Sequence, residues 1–229
     1  METELLVGER QLIVPKPPGR IKLDMAFGVG AGTTLFDKSR YRSHGAITGP
    51  DWATGLHGYC LDFVPASKDY VEIPASHTQL NFTSEAFSVI LRVYLDTLTG
   101  HQQLFIRGNY NVDGWRFVWV SNDALYFTTM QAGVVQQSNG GGAQMSAGAW
   151  FTVGFSRSGA AAKIYVNGVD RTTTAATHIN PTTSTQTALI GIMEDKVNQP
   201  LDGKIEFLRI FGGIALSTSE HLAYHNALA

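Results

Sequence analysis

The chain reads as an all-β protein, a two-sheet antiparallel sandwich with an extended N-terminal arm and a short C-terminal helix. Three observations carry this reading. Apolar residues alternate with period two over many short runs; clusters of Gly, Asn, Ser, Thr and Pro separate those runs; and a helix signature occurs only near the C-terminus. Alternating strand and helix patterns, which would announce a parallel sheet, do not occur. Sandwiches of roughly 200–250 residues commonly form one domain. The 229 residues are therefore divided into an arm over 1–20 and a sandwich over 21–229.

The arm carries two apolar clusters, Leu5-Leu6-Val7 and Leu12-Ile13-Val14, followed by Pro15-Lys16-Pro17-Pro18-Gly19. A run this rich in proline favours extended polyproline geometry. Ile21 to Phe27 reads as the first strand. Gly28 to Gly32 looks superficially like a phosphate-cradling loop, but it lacks the final glycine and the Lys-Ser/Thr pair, and no amphipathic helix follows. A flexible connection between strands is the reading favoured.

Tyr59 to Pro74 organises the chain. Leu61 and Phe63 share one strand face, Val71 and Ile73 share another, and Pro-Ala-Ser-Lys-Asp lies between. Pro65 cannot donate to a ladder and Asp69 can bond its own backbone, so this stretch is expected to be a hairpin with a five-residue turn. Phe87, Val89, Leu91, Val93 and Leu95 then alternate over a long, central strand. Strands follow over Leu104 to Arg107, Trp115 to Val120 and Ala124 to Thr129, with Asn122-Asp123 as a tight turn and Asn139 to Gly142 as a loop tip. Trp150 to Ser156 points Phe151, Val153 and Phe155 inward. Asn167-Gly168 sits between alternating runs, and a type I′ turn needs positive φ at both of its central residues. Ala188 to Met193 and Lys204 to Phe211 complete the strands, and Ser217-Thr218-Ser219-Glu220 is a capping box opening a helix to about Ala227.

A formal charge of −2 offers no electrostatic footprint for nucleic acid or an anionic membrane, and no stretch approaches the ~18 apolar residues of a spanning helix. Cys60 is the single cysteine, set in an apolar strand where an inert buried thiol is expected. The N-terminus lacks the basic and long apolar regions of a secretory signal, so a virion or cytoplasmic location is expected rather than secretion.

Taken in order, several segments resemble the laminin-G-like jelly-roll domains of the concanavalin A-like lectin/glucanase superfamily. They are Gly32 to Ser39 with Ser43 to Ile47; Leu61-Asp62-Phe63 with Asp69 to Pro74; Phe87-Ser88-Val89; Lys163 to Gly168; and Asp202 to Glu206 with Leu208-Arg209-Ile210 before Ala215-Leu216-Ser217. The resemblance spans nearly all of 21–229 and implies two curved sheets, one concave and one convex. The superfold hosts enzymes, glycan binders, adhesion modules and structural proteins of tailed-phage virions, so function has to be argued from a site. Two departures stand out. Val64-Pro65 replaces an acidic continuation after Leu-Asp-Phe, and Phe207 stands where relatives often carry a second acid. The strand from Ile205 to Phe211 is then apolar on both faces apart from Glu206 and Arg209, as though its outer side were covered by the arm or by a neighbour.

The glycosidases of this superfamily place paired acids alternately on one strand. Here no Glu-x-Asp-x-Glu occurs, and Glu194-Asp195 would point to opposite faces, so no enzyme and no catalytic residue is expected. The resemblance leaves calcium as the one candidate cofactor, with Asp37, Asp62, Asp69, Glu194, Asp195 and Asp202 placed for it, although turn capping explains Asp69 and Asp202 equally well. His221 and His225, four apart on the last helix, lack a third ligand and read as a solvated face. Asn81-Phe82-Thr83 matches a glycosylation acceptor, which matters only on export. Trp115, Phe117 and Trp119 read as a core stripe. The leading expectation is a non-catalytic structural module, a virion surface component such as a capsid decoration or tail-associated protein. It would join other virion or assembly proteins, or further copies of itself, through Leu5, Leu6, Val7, Leu12, Ile13, Val14 and Phe207. The alternative is a carbohydrate-binding or adhesion module whose partner is a glycan.

Overall fold

The computed structural model describes residues 20–121 and 124–229, together with the backbone of two strands at 2–7 and 10–15. In chain order the strands begin β1 (Glu2–Val7), β2 (Arg10–Pro15), β3 (Ile21–Ala26), β4 (Thr34–Asp37), β5 (Gly45–Thr48), β6 (Asp51–Thr54), β7 (Tyr59–Phe63) and β8 (Tyr70–Ile73). Next come β9 (Phe87–Leu95), β10 (Gln102–Arg107), β11 (Trp115–Val120), β12 (Ala124–Gln131), β13 (Val134–Gly140) and β14 (Trp150–Ser158). The last are β15 (Ala161–Val166), β16 (Val169–Asp170), β17 (Thr172–Thr174), β18 (Ala188–Ile190) and β19 (Gly203–Gly212), before the helix α1 (Thr218–Leu228). Among the described residues no helix is long and apolar enough to cross a membrane.

The strands form an antiparallel sandwich. Sheet I runs β16-β15-β14-β9-β19, and the far edge of β19 is shared by β7, backed by β6, and by β3, backed by β4. Sheet II runs β17-β13-β12-β11-β10-β18-β8-β5-β4. Because β4 pairs with β3 at one end and β5 at the other, it stitches the sheets together. The predicted alternation holds: Phe87, Val89, Leu91, Val93 and Leu95 of β9 meet Trp115, Phe117 and Trp119 of β11 in one core. Aromatic rings fill its centre, with Phe127 stacked on Phe155 at 4.1 Å and Phe105 on Trp115 at 4.9 Å. Burying each such ring is worth roughly 1.5–3 kcal/mol.

Two expectations about the strands are corrected. Tyr59 to Pro74 is no hairpin. β7 pairs with β6 and β19 in sheet I, whereas β8 pairs with β5 and β18 in sheet II. Leu61, Phe63, Val71 and Ile73 all point into the core, as alternation requires, but from opposite walls. A 3₁₀ turn at Pro65–Ser67 and left-handed Lys68 (φ 56°) carry the chain across, closed by Val64 N–H donating to Asp69 Oδ2 at 2.8 Å. Asn139 and Gly140 belong to β13 rather than a loop tip, because the backbone at Arg171 passes so close that a Cβ on Gly140 would lie 2.0 Å from its carbonyl oxygen.

The N-terminal arm is folded back on itself, β1 pairing antiparallel with β2 from Glu2↔Pro15 to Val7↔Arg10. The Pro-rich residues after Pro15, the Asn122-Asp123 turn and the side chains of Leu5, Leu6, Val7, Leu12, Ile13 and Val14 lie outside the described residues. Phe207 is buried by its own chain: α1 covers the outer face of β19, where Phe207, Phe211 and Ile90 pack with Tyr224 and Leu228. Both capping-box bonds open α1, and Asn167 (φ 51°) and Gly168 (φ 75°) take the positive φ of the predicted type I′ turn.

Candidate functional site

With α1 lying on sheet I, attention falls on the outer face of sheet II. The parity that sends Trp115, Phe117 and Trp119 inward sends Arg116, Val118 and Val120 outward. Cross-strand register then builds two rows over β11, β12 and β13: Arg116 beside Thr128 beside Gln137, and Val118 beside Tyr126 beside Asn139. A groove of about 300 Å³ lies here, at the lower end of ligand-site volumes, lined by His101, Tyr110, Arg116, Val120, Tyr126, Gln137 and Gln199.

Two loops raise its walls. In the first, Tyr110 stands 37% exposed and its ring centroid lies 4.1 Å from the Arg116 guanidinium carbon. Tyr110 N–H donates to Glu194 Oε1 of the second loop at 2.9 Å. That second loop is braced by Asp195, which accepts from the N–H groups of Val197 and Asn198, and by Lys196, which donates to both oxygens of Glu72 at 2.9 Å. Further along the same loop, Gln199 accepts from Gln103 N–H at 2.9 Å through its carbonyl and from Arg116 Nη1 at 3.3 Å through its side chain. Gln103 donates its amide to the carbonyls of Phe105 and Phe117, leaving its Oε1 buried without a partner among the described residues. Desolvation lowers the Arg116 pKa, opposed by the charges of Tyr110 and Glu194. Aromatic faces, amides, an imidazole and a guanidinium are the groups that hold sugar rings and hydroxyls.

Other hollows are already chemically occupied. One of about 370 Å³ lies where β14 and β15 approach Ser217. There Ser156 donates to Leu216 O, Ser217 serves the capping box and Lys163 pairs with Asp170 at 2.8 Å.

The residues singled out from sequence are dispersed. Asp37 is a buried hub accepting from the N–H groups of Asp24, Ser39 and Ser43 and from Ser39 Oγ. Asp62 pairs with Lys204, and Asp202 accepts from Thr97 Oγ1. Among the described residues no three His, Cys, Asp or Glu side chains converge as a metal site. Asn81 is spent internally, accepting from Arg107 and donating to Ser184 O. His221, read as solvated, is buried: its ring stacks on Tyr165 at 3.8 Å, Nε2 lies 2.9 Å from Ser156 Oγ, and burial pushes its pKa down to about 3. His225 sits half-buried beside Thr152 Oγ1. The sequence reading named none of the groove residues; the outward parity of Arg116 between inward tryptophans was the one local signal.

A family model described as the Concanavalin A-like lectin/glucanases superfamily, of laminin-G type, matches residues 65–220. The chain belongs to this superfamily. No curated protein matches it in sequence. Among solved structures, this superfamily member superposes on domain 4 of AbnA, a GH43 extracellular arabinanase from Geobacillus stearothermophilus solved with arabinotriose. The TM-score is 0.69 at 21% identity, covering 89% of this chain and 97% of that domain. The binding domain of botulinum neurotoxin DC, in complex with SialylT, gives 0.62 at 17% identity over 92% of this chain and 52% of that one. A Trypanosoma rangeli sialidase gives 0.65 at 15%, over 93% and 33%. The chain thus spans about half of the neurotoxin domain and a third of the sialidase, and these identities speak for the fold.

Proposed function

We propose that this superfamily member is a non-catalytic carbohydrate-binding module that holds a glycan in the groove on the outer face of sheet II. The observation that carries the reading is the groove wall itself: tyrosine rings, side-chain amides and a guanidinium with donors to spare converge on a face that α1 does not reach. Solved relatives of the same fold carry arabinotriose and SialylT in their own structures, which supports a glycan as the class of ligand. The expectation of a virion component finds no comparable support among them.

Titration calorimetry against arabino-oligosaccharides and a broad glycan array is the test. Binding that falls about two- to tenfold in Tyr126→Ala and in Gln137→Ala is expected, since a ring contact and a hydrogen bond are each worth roughly 0.5–1.5 kcal/mol. Loss of a folded protein's binding through Thr54→Ala, exposed on β6 of sheet I, or no binding to any glycan at millimolar concentration, would sink the assignment.

A further inference from the structure

Resting on the glycan reading above, we propose that the groove selects saccharides bearing a carboxylate and that Arg116 determines this specificity. The argument comes from comparing the buried arginines. Arg209 is clamped by Asp24 through two bonds of 3.0 and 2.9 Å and also donates to Tyr224. Arg92 donates to Glu206 at 3.0 Å and to Thr152 at 3.1 Å. Arg107 reaches Asn81 Oδ1 and the carbonyls of Ala75, Ser184 and Gln186. Arg157 reaches Thr83 O and Asn180 Oδ1, although its Nε has no partner among the described residues.

Arg116 is almost as deeply set, 5% exposed, yet among the described residues it makes one hydrogen bond, the 3.3 Å contact to Gln199, and its Nε has no partner. Like Arg107 and Arg157 it forms no ion pair among the described residues, but those two each meet at least two neutral oxygen acceptors instead; the nearby Glu194 spends Oε1 on Tyr110 N–H and keeps a buried Oε2 without a partner.

A buried cation without a counter-charge is costly, and most proteins pair it. Here the cation forms part of a groove wall, with one face against Tyr110 and most of its five N–H donors unused. A ligand carboxylate would take those donors in charge-assisted, paired bonds that match the guanidinium fork. Glu194 at the rim disfavours a doubly charged phosphate against a singly charged, planar group. Tyr126 and Gln137 on the other side are suited to the ring and hydroxyls of the sugar that carries it.

The experiment uses matched pairs differing only in the carboxylate: 3′-sialyllactose with lactose, and trigalacturonic acid with its methyl ester. Each is titrated into wild type, Arg116→Gln and Arg116→Lys, after circular dichroism confirms the fold of each. The expected result is at least one acidic member bound ten- to a hundredfold more tightly than its neutral partner. That preference should shrink at 0.5 M salt, vanish in Arg116→Gln and survive in part in Arg116→Lys. The acid-to-neutral ratio is read within each variant, so a purely structural role for Arg116 does not move it. Should Arg116→Gln fail to fold, Arg116→Lys alone must weaken the preference. Neutral members bound as tightly as acids, or a preference untouched by substitution, overturns the inference and leaves the glycan reading standing. No binding to these or to the wider array overturns both.

Discussion

Lowering the pH from 7.5 to 5 tests the packing of two buried histidines. His221 lies between Tyr165 and Gly154, and its Nε2 has Ser156 Oγ as its hydrogen-bonding neighbour, while Asp170 is the charge that favours its protonation. His178 sits in the core with Thr129 Oγ1 at 2.9 Å and Ser138 Oγ at 2.8 Å, and the charge of Arg157 adds to desolvation. Burial pushes these rings down to about 3 and about 4. Folding therefore holds both rings neutral, whereas the unfolded chain protonates them near pH 6.5. Their stabilisation is complete above about pH 6.5 and is lost as pH falls through the window toward 4 and 3. At pH 5 the loss is about 2 kcal/mol for each ring. Together these should lower the thermal midpoint by about 10 °C, on the scale of a few degrees per kcal/mol for a chain of this size. Differential scanning calorimetry at the two pH values measures it, and His221→Asn should remove about half of the drop. A wild-type midpoint unchanged between pH 7.5 and 5, or a drop undiminished in His178→Asn/His221→Asn, would refute the packing argument.

Other substitutions probe the frame around sheet I. Glu206→Ala strands Arg92 and removes the acceptor of Leu56 and His57 N–H, so urea denaturation should show a loss of about 3–5 kcal/mol, with Glu206→Gln costing less. Gly168→Ala forces a Cβ to within 2.4 Å of Leu222 Cα at φ 75°, and a loss of about 1–3 kcal/mol in the same assay is expected. Ser217→Ala removes the cap of α1 and should cost about 1 kcal/mol, read as a lower chemical-denaturation midpoint.

Which residues face inward was legible; which strands meet was not. Alternation placed Leu61 and Phe63 beside Val71 and Ile73 in the core, but period two is identical for a hairpin and for two walls of a sandwich. What separated the cases was the 3₁₀ turn at Pro65 with left-handed Lys68, a backbone detail invisible in composition. The capping box and Asn167-Gly168 were legible because their chemistry is local. His221 was misread because α1 lacks an apolar stripe: it buries His221, Tyr224 and Leu228 while exposing Leu222. The groove was hidden for a third reason. Its residues run from His101 to Gln199 on three strands and three loops, so only the fold, with the register of β11, β12 and β13 at its centre, gathers them.

The position of β19 bears on how the chain is made. It is the last strand of this sandwich to be synthesised, yet it lies in the middle of sheet I, paired with β9 along one edge and with β7 and β3 along the other. Until residues 203–212 clear the ribosome, three early strands wait with open hydrogen-bonding edges, and such edges recruit other chains. Slowed translation just before residue 203 should therefore lower the yield of folded protein even where native stability is unchanged. A ribosome-stalled chain ending before Gly203 should stay protease-sensitive, and one extended well past Gly212 should not.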